Sequence, residues 1–418
     1  MEEDDYGRGG LLMEQEREDD YGRGGLPIIT LGETLNQAYF VVRKLGWGNF
    51  STVWLCWHPS HNRFYAVKIV KSDEQYTAGA REEIDGLTRA SGKKEIVGFV
   101  ESFSIVRDTG SHICIVTEVL GPSLLTVLKE TDYQDRSPEA LQSRLRMVRA
   151  VARGMLQGLA ALEKCKLIHT DIKPENVLLT RSELEICDEA LETLGMVLRN
   201  EELPIDAICS NSVSRRLNLN KRMKVSIRTM MTQIRRFRKQ LKEPNGKREL
   251  TVKVADLGNA VHVSNRANEE IQTLQYRSPE SILCAGYNYT ADVFSAACTL
   301  YEMAVGDYLF DMREESNDEK ERLEHLHLMA LIIGDLKADH FIHGSRYNHF
   351  FENGTLRKCV DFEKDEMPRP IVNQLLDHGW HPYEAYKFAG FLLKMLRLDP
   401  ARRPTAEECL ELEWLTEE

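Results

Sequence analysis

The sequence predicts an α+β fold, with a small β-rich lobe followed by a larger helical lobe. Three observations carry this. Between Ala38 and Val70 the chain is rich in β-branched and aromatic residues, as in YFVVRKLGWGNFSTVWLCW and RFYAVKIV, interrupted by glycines and by HPSHN. Such runs read as strands joined by turns. After Gly121 apolar residues recur at three-to-four spacing, as in RLRMVRAVARGMLQGLAALEKC, which is the period of an amphipathic helix. The 418 residues suffice for two lobes or two domains.

Taken in order, residues 1–37 form an extension in which EDDYGRGG occurs twice, at Glu3–Gly10 and Glu18–Gly25. Two polar copies are too few for a repeat fold. The first copy is expected to be a disordered tail and the second to lie along the surface, and no function is expected of the duplication itself. Residues 38–119 make the first lobe: a hairpin, a third strand, the helix GAREEIDGLTRA and the buried strand HICIVTEVL. Residues 120–181 turn helical. Residues 182–249 break the rhythm. Their first part, SELEICDEALETLGMVLRN, is acidic with leucines near helical spacing, and 211–249 carries 13 Lys/Arg against 2 Glu. This reads as an insert, partly disordered, with a solvated basic face. Residues 250–418 complete the helical lobe.

Composition excludes several classes. No apolar run approaches ~18 residues, so no membrane span is expected. The start, MEEDDYGRGG, lacks the apolar stretch of a secretory signal. Nine cysteines without a C-x-x-C argue for free thiols in a reducing compartment; the expected location is the cytoplasm and nucleus. A net charge of −12 disfavours direct nucleic-acid binding and suits a basic partner. A monomer is expected.

Four clusters carry chemistry. In GWGNFSTV, Gly46 and Gly48 lie between two strands, where small residues let backbone N–H groups approach phosphate oxygens. Ser51 stands where a third glycine would fall, and no helix follows, so a dinucleotide fold is unsupported. Lys68 sits inside an apolar strand, which is costly without a partner; Glu82 or Glu83 on the next helix can supply one. In IHTDIKPENVLL, Asp171 can accept or orient a hydroxyl proton, and Lys173 can neutralise a transferring phosphoryl group. Asn176, with Asp256 of VKVADLGNA, offers oxygen ligands for Mg²⁺.

In this order the set resembles the protein-kinase signature: glycine-rich loop, strand Lys, helix Glu, H-x-D-x-x-x-x-N, D-x-G, then P-E. Here D-x-G is DLG at Asp256–Gly258 and P-E lies in SPE at Ser278–Glu280. The resemblance covers about residues 38–415. It implies a bilobal kinase fold split by the 182–249 insert, and it selects Glu83 as the partner of Lys68. It also implies an ATP site at Leu45, Gly46, Gly48, Val53, Ala66, Lys68, Thr117, Glu118 and Leu120, with Thr117 as a small gatekeeper. Asp292, and Arg403 opposite Glu280, match structural positions. RKLGWGNFSTVWL, HTDIKPENVLL, QTLQYRSPE and YGRGGLPIITLGETL are similar to the SR-protein kinases, which phosphorylate serines in Arg-Ser repeats. The alternatives are a scaffold without turnover, against which the complete residue set argues, and a LAMMER-type kinase, whose EHLAMMER signature is absent.

Two expectations concern control and substrate. Thr170 stands where many kinases have the Arg that binds an activation-loop phosphate. The short segment Asn259–Arg277 is therefore expected to be held by packing and local hydrogen bonds, leaving the enzyme constitutively active, with Ser264, Thr273 and Ser278 as the hydroxyls that would test it. Arg-Ser-rich partners need carboxylates. The acidic run Asp311–Glu324 is expected to line that surface, with Asp307, Glu321, Glu324 and Asp335 as docking residues. The resembling family has acids flanking its ALII-like helix; here His327 and Gly334 stand instead, so shorter or more scattered Arg-Ser pairs are the expected substrates.

Overall fold

The structure is a computed structural model that describes residues 16–204, 207–208, 219–242, 249–265, 269–312, 317–334, 336–358 and 369–417. In chain order its elements begin with β1 (Thr34–Leu35), β2 (Tyr39–Gly48), β3 (Ser51–His58), β4 (Arg63–Val70), α1 (Glu74–Arg89), β5 (Phe99–Arg107), β6 (Gly110–Thr117), α2 (Leu124–Glu130) and α3 (Pro138–Lys164). There follow β7 (Leu167–Ile168), β8 (Val177–Leu179), α4 (Glu183–Arg199), α5 (Lys221–Gln240), β9 (Val252–Val254), β10 (Val261–His262), α6 (Pro279–Ile282), α7 (Thr290–Val305) and α8 (Asp318–Ile332). The chain divides into two compact units.

Unit 1 comprises Met1–Gly92, Val97–Gly121 and Thr180–Glu249. Its centre is a six-stranded antiparallel sheet of order β1-β2-β3-β4-β6-β5. Trp54, Leu55, Cys56 and Trp57 on β3 and Val67 and Ile69 on β4 are fully buried, as expected for central strands covered on both faces.

The insert helices provide part of that cover. Ser182 and Glu185 form a capping box at the start of α4. Asn220 caps α5 by accepting from the Met223 N–H. On α5, Ile227, Met231 and Ile234 are buried at helical spacing in the same core as Trp57 and Val41. Trp57 donates its indole N–H to Gln233 at 3.3 Å and meets the Phe237 ring at 5.5 Å. The basic residues Arg222, Lys224, Arg228, Arg235 and Arg236 take the exposed side. The expected solvated basic face is thus one side of α5, and what the sequence reading lacked is the apolar side that α4 and α5 bury. The apolar stripe, worth roughly 1.5–3 kcal/mol per fully buried side chain, makes them part of the core, and only the outer face is solvated.

The extension also joins unit 1. Leu26, Ile29, Leu31 and Leu35 are buried, and β1 adds an edge to the sheet. The ordered unit thus begins well before Ala38.

Unit 2 comprises Lys93–Ile96, Pro122–Leu179 and Leu250–Glu418. Every residue of α7 is buried, so this helix is the spine of the unit. On α3, a Cβ at Gly154 or Gly158 would come within 2.7 Å of Val252 or 2.5 Å of Val254. The glycines let β9 lie directly on the helix, and β9 leads into Asp256. Short pairs, β7 with β10 and β8 with β9, pin both ends of the 169–176 loop. Among the described residues, no helix is long and apolar enough to cross a membrane.

Candidate active site

Unit 1 carries the nucleotide-side residues. Sheet register pairs Gly46 with Val53, Val53 with Lys68, and Ala66 with Thr117. Directly paired residues share a face, as do residues two apart on a strand. One face therefore presents Gly46, Val53, Ala66, Lys68 and Thr117 together. Leu45 sits in the bulge between the Lys44 and Gly46 pairings. Gly46 and Gly48 do not adopt positive φ, and a Cβ at either would meet nothing within 4 Å. Neither backbone conformation nor internal packing calls for glycine there. Open space beside both is what a close-lying phosphate chain requires.

The Lys68 ammonium donates to both Glu83 oxygens, at 2.9 and 2.8 Å. Glu83 is buried and Glu82 exposed, which settles the choice between neighbours. Helix α1 is fixed at its start by Asp73, whose carboxylate accepts from the Gln75 N–H. The carboxylate of Glu118 accepts from the Gly98 N–H at 2.6 Å. Glu118 thereby braces the segment after β6, which continues to Leu120.

Unit 2 carries the transfer residues. Buried Asp292 accepts from the backbone N–H groups of His169 at 2.7 Å and Thr170 at 2.9 Å. Burial raises its pKa, while those two donors and His169 oppose the rise. The Asp171 N–H donates to Nδ1 of His169 at 3.2 Å. The proton of His169 is therefore on Nε2, which donates to the Ala255 carbonyl at 2.9 Å. Thr170 has φ +66°, a strained conformation for a β-branched residue. Its hydroxyl donates to the Asn259 carbonyl at 2.7 Å, tying the loop to the turn after Asp256. Thr170 is thus a structural tie.

Asp171 sits at the centre of this network. The Asn176 amide N–H group donates to the Asp171 carbonyl at 2.8 Å and to its Oδ2 at 3.1 Å. Lys173 lies 3.2 Å from the same oxygen. Thr273 donates its hydroxyl proton to Asp171 Oδ1 at 2.7 Å and accepts from Lys173 at 3.0 Å. Because Asn176 Nδ2 is committed to Asp171, Oδ1 is its atom suited to a cation. Asp256, held at φ +57°, adds a carboxylate. Two hard oxygen donors, with phosphate oxygens to complete the shell, fit a magnesium-type ion better than a softer metal.

Sequence reasoning missed the double role of Thr273, which looked like a phosphorylatable hydroxyl. The 269–281 segment has the local hydrogen bonds that were expected, and the sequence reading missed the ion-pair cluster that joins them. Glu270 pairs with three guanidiniums, those of Arg277, Arg322 and Arg346. Gln272 donates to the Ala291 carbonyl and the Ser295 hydroxyl at 2.8 Å, and accepts from the N–H and hydroxyl of Ser278. Ser278 is fully buried, whereas Ser264 is exposed. Glu270 has an adjacent Glu269, and two of its three partners, Arg322 and Arg346, are far along the chain, so no local pattern marks the cluster. Arg403 forks onto Glu280 at 2.6 and 3.0 Å, as the sequence implied.

The docking acids fare differently. Asp307, just past the α7 cap at Gly306, and Glu321 on α8 are half-buried. Glu324 is only 1% exposed, so the expectation that it lines an open acidic surface is corrected: its turn of α8 faces the core with His325, Leu328 and Met329. Asp335 lies outside the described residues.

Residues 39–192 and 241–415 match the protein kinase domain. The chain is 33% identical to "Serine/threonine-protein kinase SRPK" of Physarum polycephalum, covering 92% of this chain and 87% of that protein. It is 28% identical to "SRSF protein kinase 3" of Mus musculus, covering 93% and 88%. A crystal structure of a kinase domain superimposes with a TM-score of 0.62 at 24% identity, over 93% of this chain and 98% of that one. Protein kinase domains in general use ATP with a divalent metal. The chain belongs to the protein kinase domain family and, within it, to the SR-protein kinases: it is a serine/threonine protein kinase.

Proposed function

We propose that this kinase transfers the γ-phosphate of MgATP to serines in Arg-Ser-rich proteins of the splicing-factor type, in the cytoplasm and nucleus, without needing a phosphate on its own activation segment. The observation that supports the last point is the Asn259–Arg277 segment itself. Carboxylate–guanidinium and amide contacts occupy the role a phosphate would otherwise fill. Of the three candidate hydroxyls, Thr273 within the segment and Ser278 just beyond it are already engaged. The Arg-Ser preference rests on relatives named for SR proteins and on the acids near α8.

The chain's own residues divide the work. Lys68, oriented by Glu83, would hold phosphate oxygens, and Asp171 would accept or orient the substrate hydroxyl's proton. Lys173 would offset charge on the moving phosphoryl group. Asn176 Oδ1 and the Asp256 carboxylate would hold the magnesium ion, which when bound neutralises phosphate charge.

The test is phosphate transfer by bacterially expressed protein, untreated and phosphatase-treated, to an Arg-Ser repeat peptide and a Lys-Ser control, with Asp171→Ala alongside. Arg-selective transfer that survives phosphatase and is lost in Asp171→Ala is the expected result. Equal transfer to both peptides would remove the substrate assignment, and loss on phosphatase treatment would remove the unswitched segment.

A further inference from the structure

The second copy of the duplicated block meets a specific seat on unit 1 through Asp20, Gly24, Gly25 and Leu26. The identity runs over nine residues, since Leu11 follows the first copy as Leu26 follows the second. In the second copy Asp20 accepts from Lys71 at 2.6 Å. The Gly24 N–H donates to the Thr109 carbonyl at 3.0 Å, and the Gly24 and Gly25 carbonyls accept from the N–H groups of Asp73 at 2.8 Å and Ser72 at 3.2 Å. Gly24 has φ +86°, and a Cβ on Gly25 would fall 2.1 Å from the Asp20 carbonyl oxygen. Leu26 is fully buried. The seat therefore reads Asp, two glycines and Leu at fixed spacing, and Asp5, Gly9, Gly10 and Leu11 repeat that spacing.

We propose that Glu3–Leu11 is an alternative occupant of this seat in the same chain, so that the extension can dock in two registers. Leu26 and the buried Ile29 are three residues apart, at most about 11 Å. With the first copy seated, residues 12–28 would span that gap as a loop, and closure entropy grows only logarithmically with loop length. An intramolecular occupant also has the advantage of high effective concentration over one from another molecule. Two contacts set the preference. Glu16 accepts from the fully buried Lys44 at 2.7 Å and from the Tyr21 hydroxyl. The residue at the same offset from Tyr6 is Met1. The first copy cannot satisfy Lys44, so the second copy holds the seat in the unaltered chain and the first is a reserve. The seat adjoins Asp73, the cap of the helix that presents Glu83 to Lys68, so either register keeps that helix anchored.

Zero-length carbodiimide cross-linking of the full chain, read by peptide mass spectrometry, tests this at Lys71. The unaltered chain should give Lys71–Asp20 as the main product. In Asp20→Asn, and separately in Gly25→Ala, which blocks the second copy by its clash, Lys71–Asp5 should become the main product. Adding Gly10→Ala to either should abolish the Lys71–Asp5 product, because the new Cβ blocks the first copy in the same way. A Lys71–Asp5 product that survives Gly10→Ala would mean undirected attraction of an acidic tail and would overturn the proposal. So would its absence from both disabled chains. Mixed-isotope products from labelled and unlabelled chains would place the occupant in a second molecule and overturn the same-chain docking.

Discussion

Thr273 joins Lys173 to Asp171 through one hydroxyl that accepts from the first and donates to the second. Hydrogen bonds to charged groups contribute roughly 1.5–3 kcal/mol, so Thr273→Ala should lower kcat about 10- to 100-fold. The KM for ATP should stay unchanged, as steady-state kinetics would show. Thr273→Glu should be no more active than Thr273→Ala, since it brings a like charge to Asp171. A gain of activity in that variant would mark the site as a phosphorylation switch. Glu302 supplies a pH test. Burial raises its pKa to about 7, against the hydrogen bond from Tyr276. Between pH 4.5 and about 7 the folded protein holds a proton that the unfolded chain has released, so this group's contribution to stability falls as pH rises through that window. Glu302→Gln keeps an acceptor for Tyr276. It should match the unaltered protein at pH 4 and exceed it at pH 8 by up to about 3 kcal/mol in denaturant unfolding.

At the scale of elements, legibility followed from how local each signal is. The strands β2 to β4 and helix α3 were readable because their periodicity lies within one stretch of chain. Asp171, Asn176 and Asp256 were readable because chemistry restricts both residue type and spacing. Glu83 was separable from Glu82 only through the family resemblance, because the residues alone leave two adjacent carboxylates, and α1 turns Glu83 inward. Helix α5 was obscured by its own composition. Its basic residues outnumber the stripe of Ile227, Met231 and Ile234, and the surface that stripe covers lies more than 160 residues earlier in the chain, at Trp57. Ile234→Ala should therefore cost about 2–5 kcal/mol, whereas Arg236→Ala on the exposed face should change stability by less than about 0.5 kcal/mol. Chemical unfolding of the two variants separates a core helix from a linker. Glu324 was misplaced for the converse reason: a run rich in Glu and Asp looks solvated throughout, yet one turn of α8 faces inward.

At the scale of the whole molecule, unit 1 is completed by a stretch of chain that follows the first part of unit 2. This ordering has a consequence for synthesis. At roughly 5–20 residues per second, the strands through Thr117 would emerge on the order of ten seconds before α5. For that interval the sheet lacks the side chains that later bury Trp57 and Val41, and a nascent chain in that state offers apolar surface to chaperones or to its neighbours. A fragment of residues 16–121 should bind an apolar dye and aggregate. The same fragment joined by a short Gly-Ser linker to residues 180–242 should do neither. If the short fragment stays monomeric and dye-free, the sheet needs no late cover, and the insert could be moved elsewhere in the gene without loss of folding.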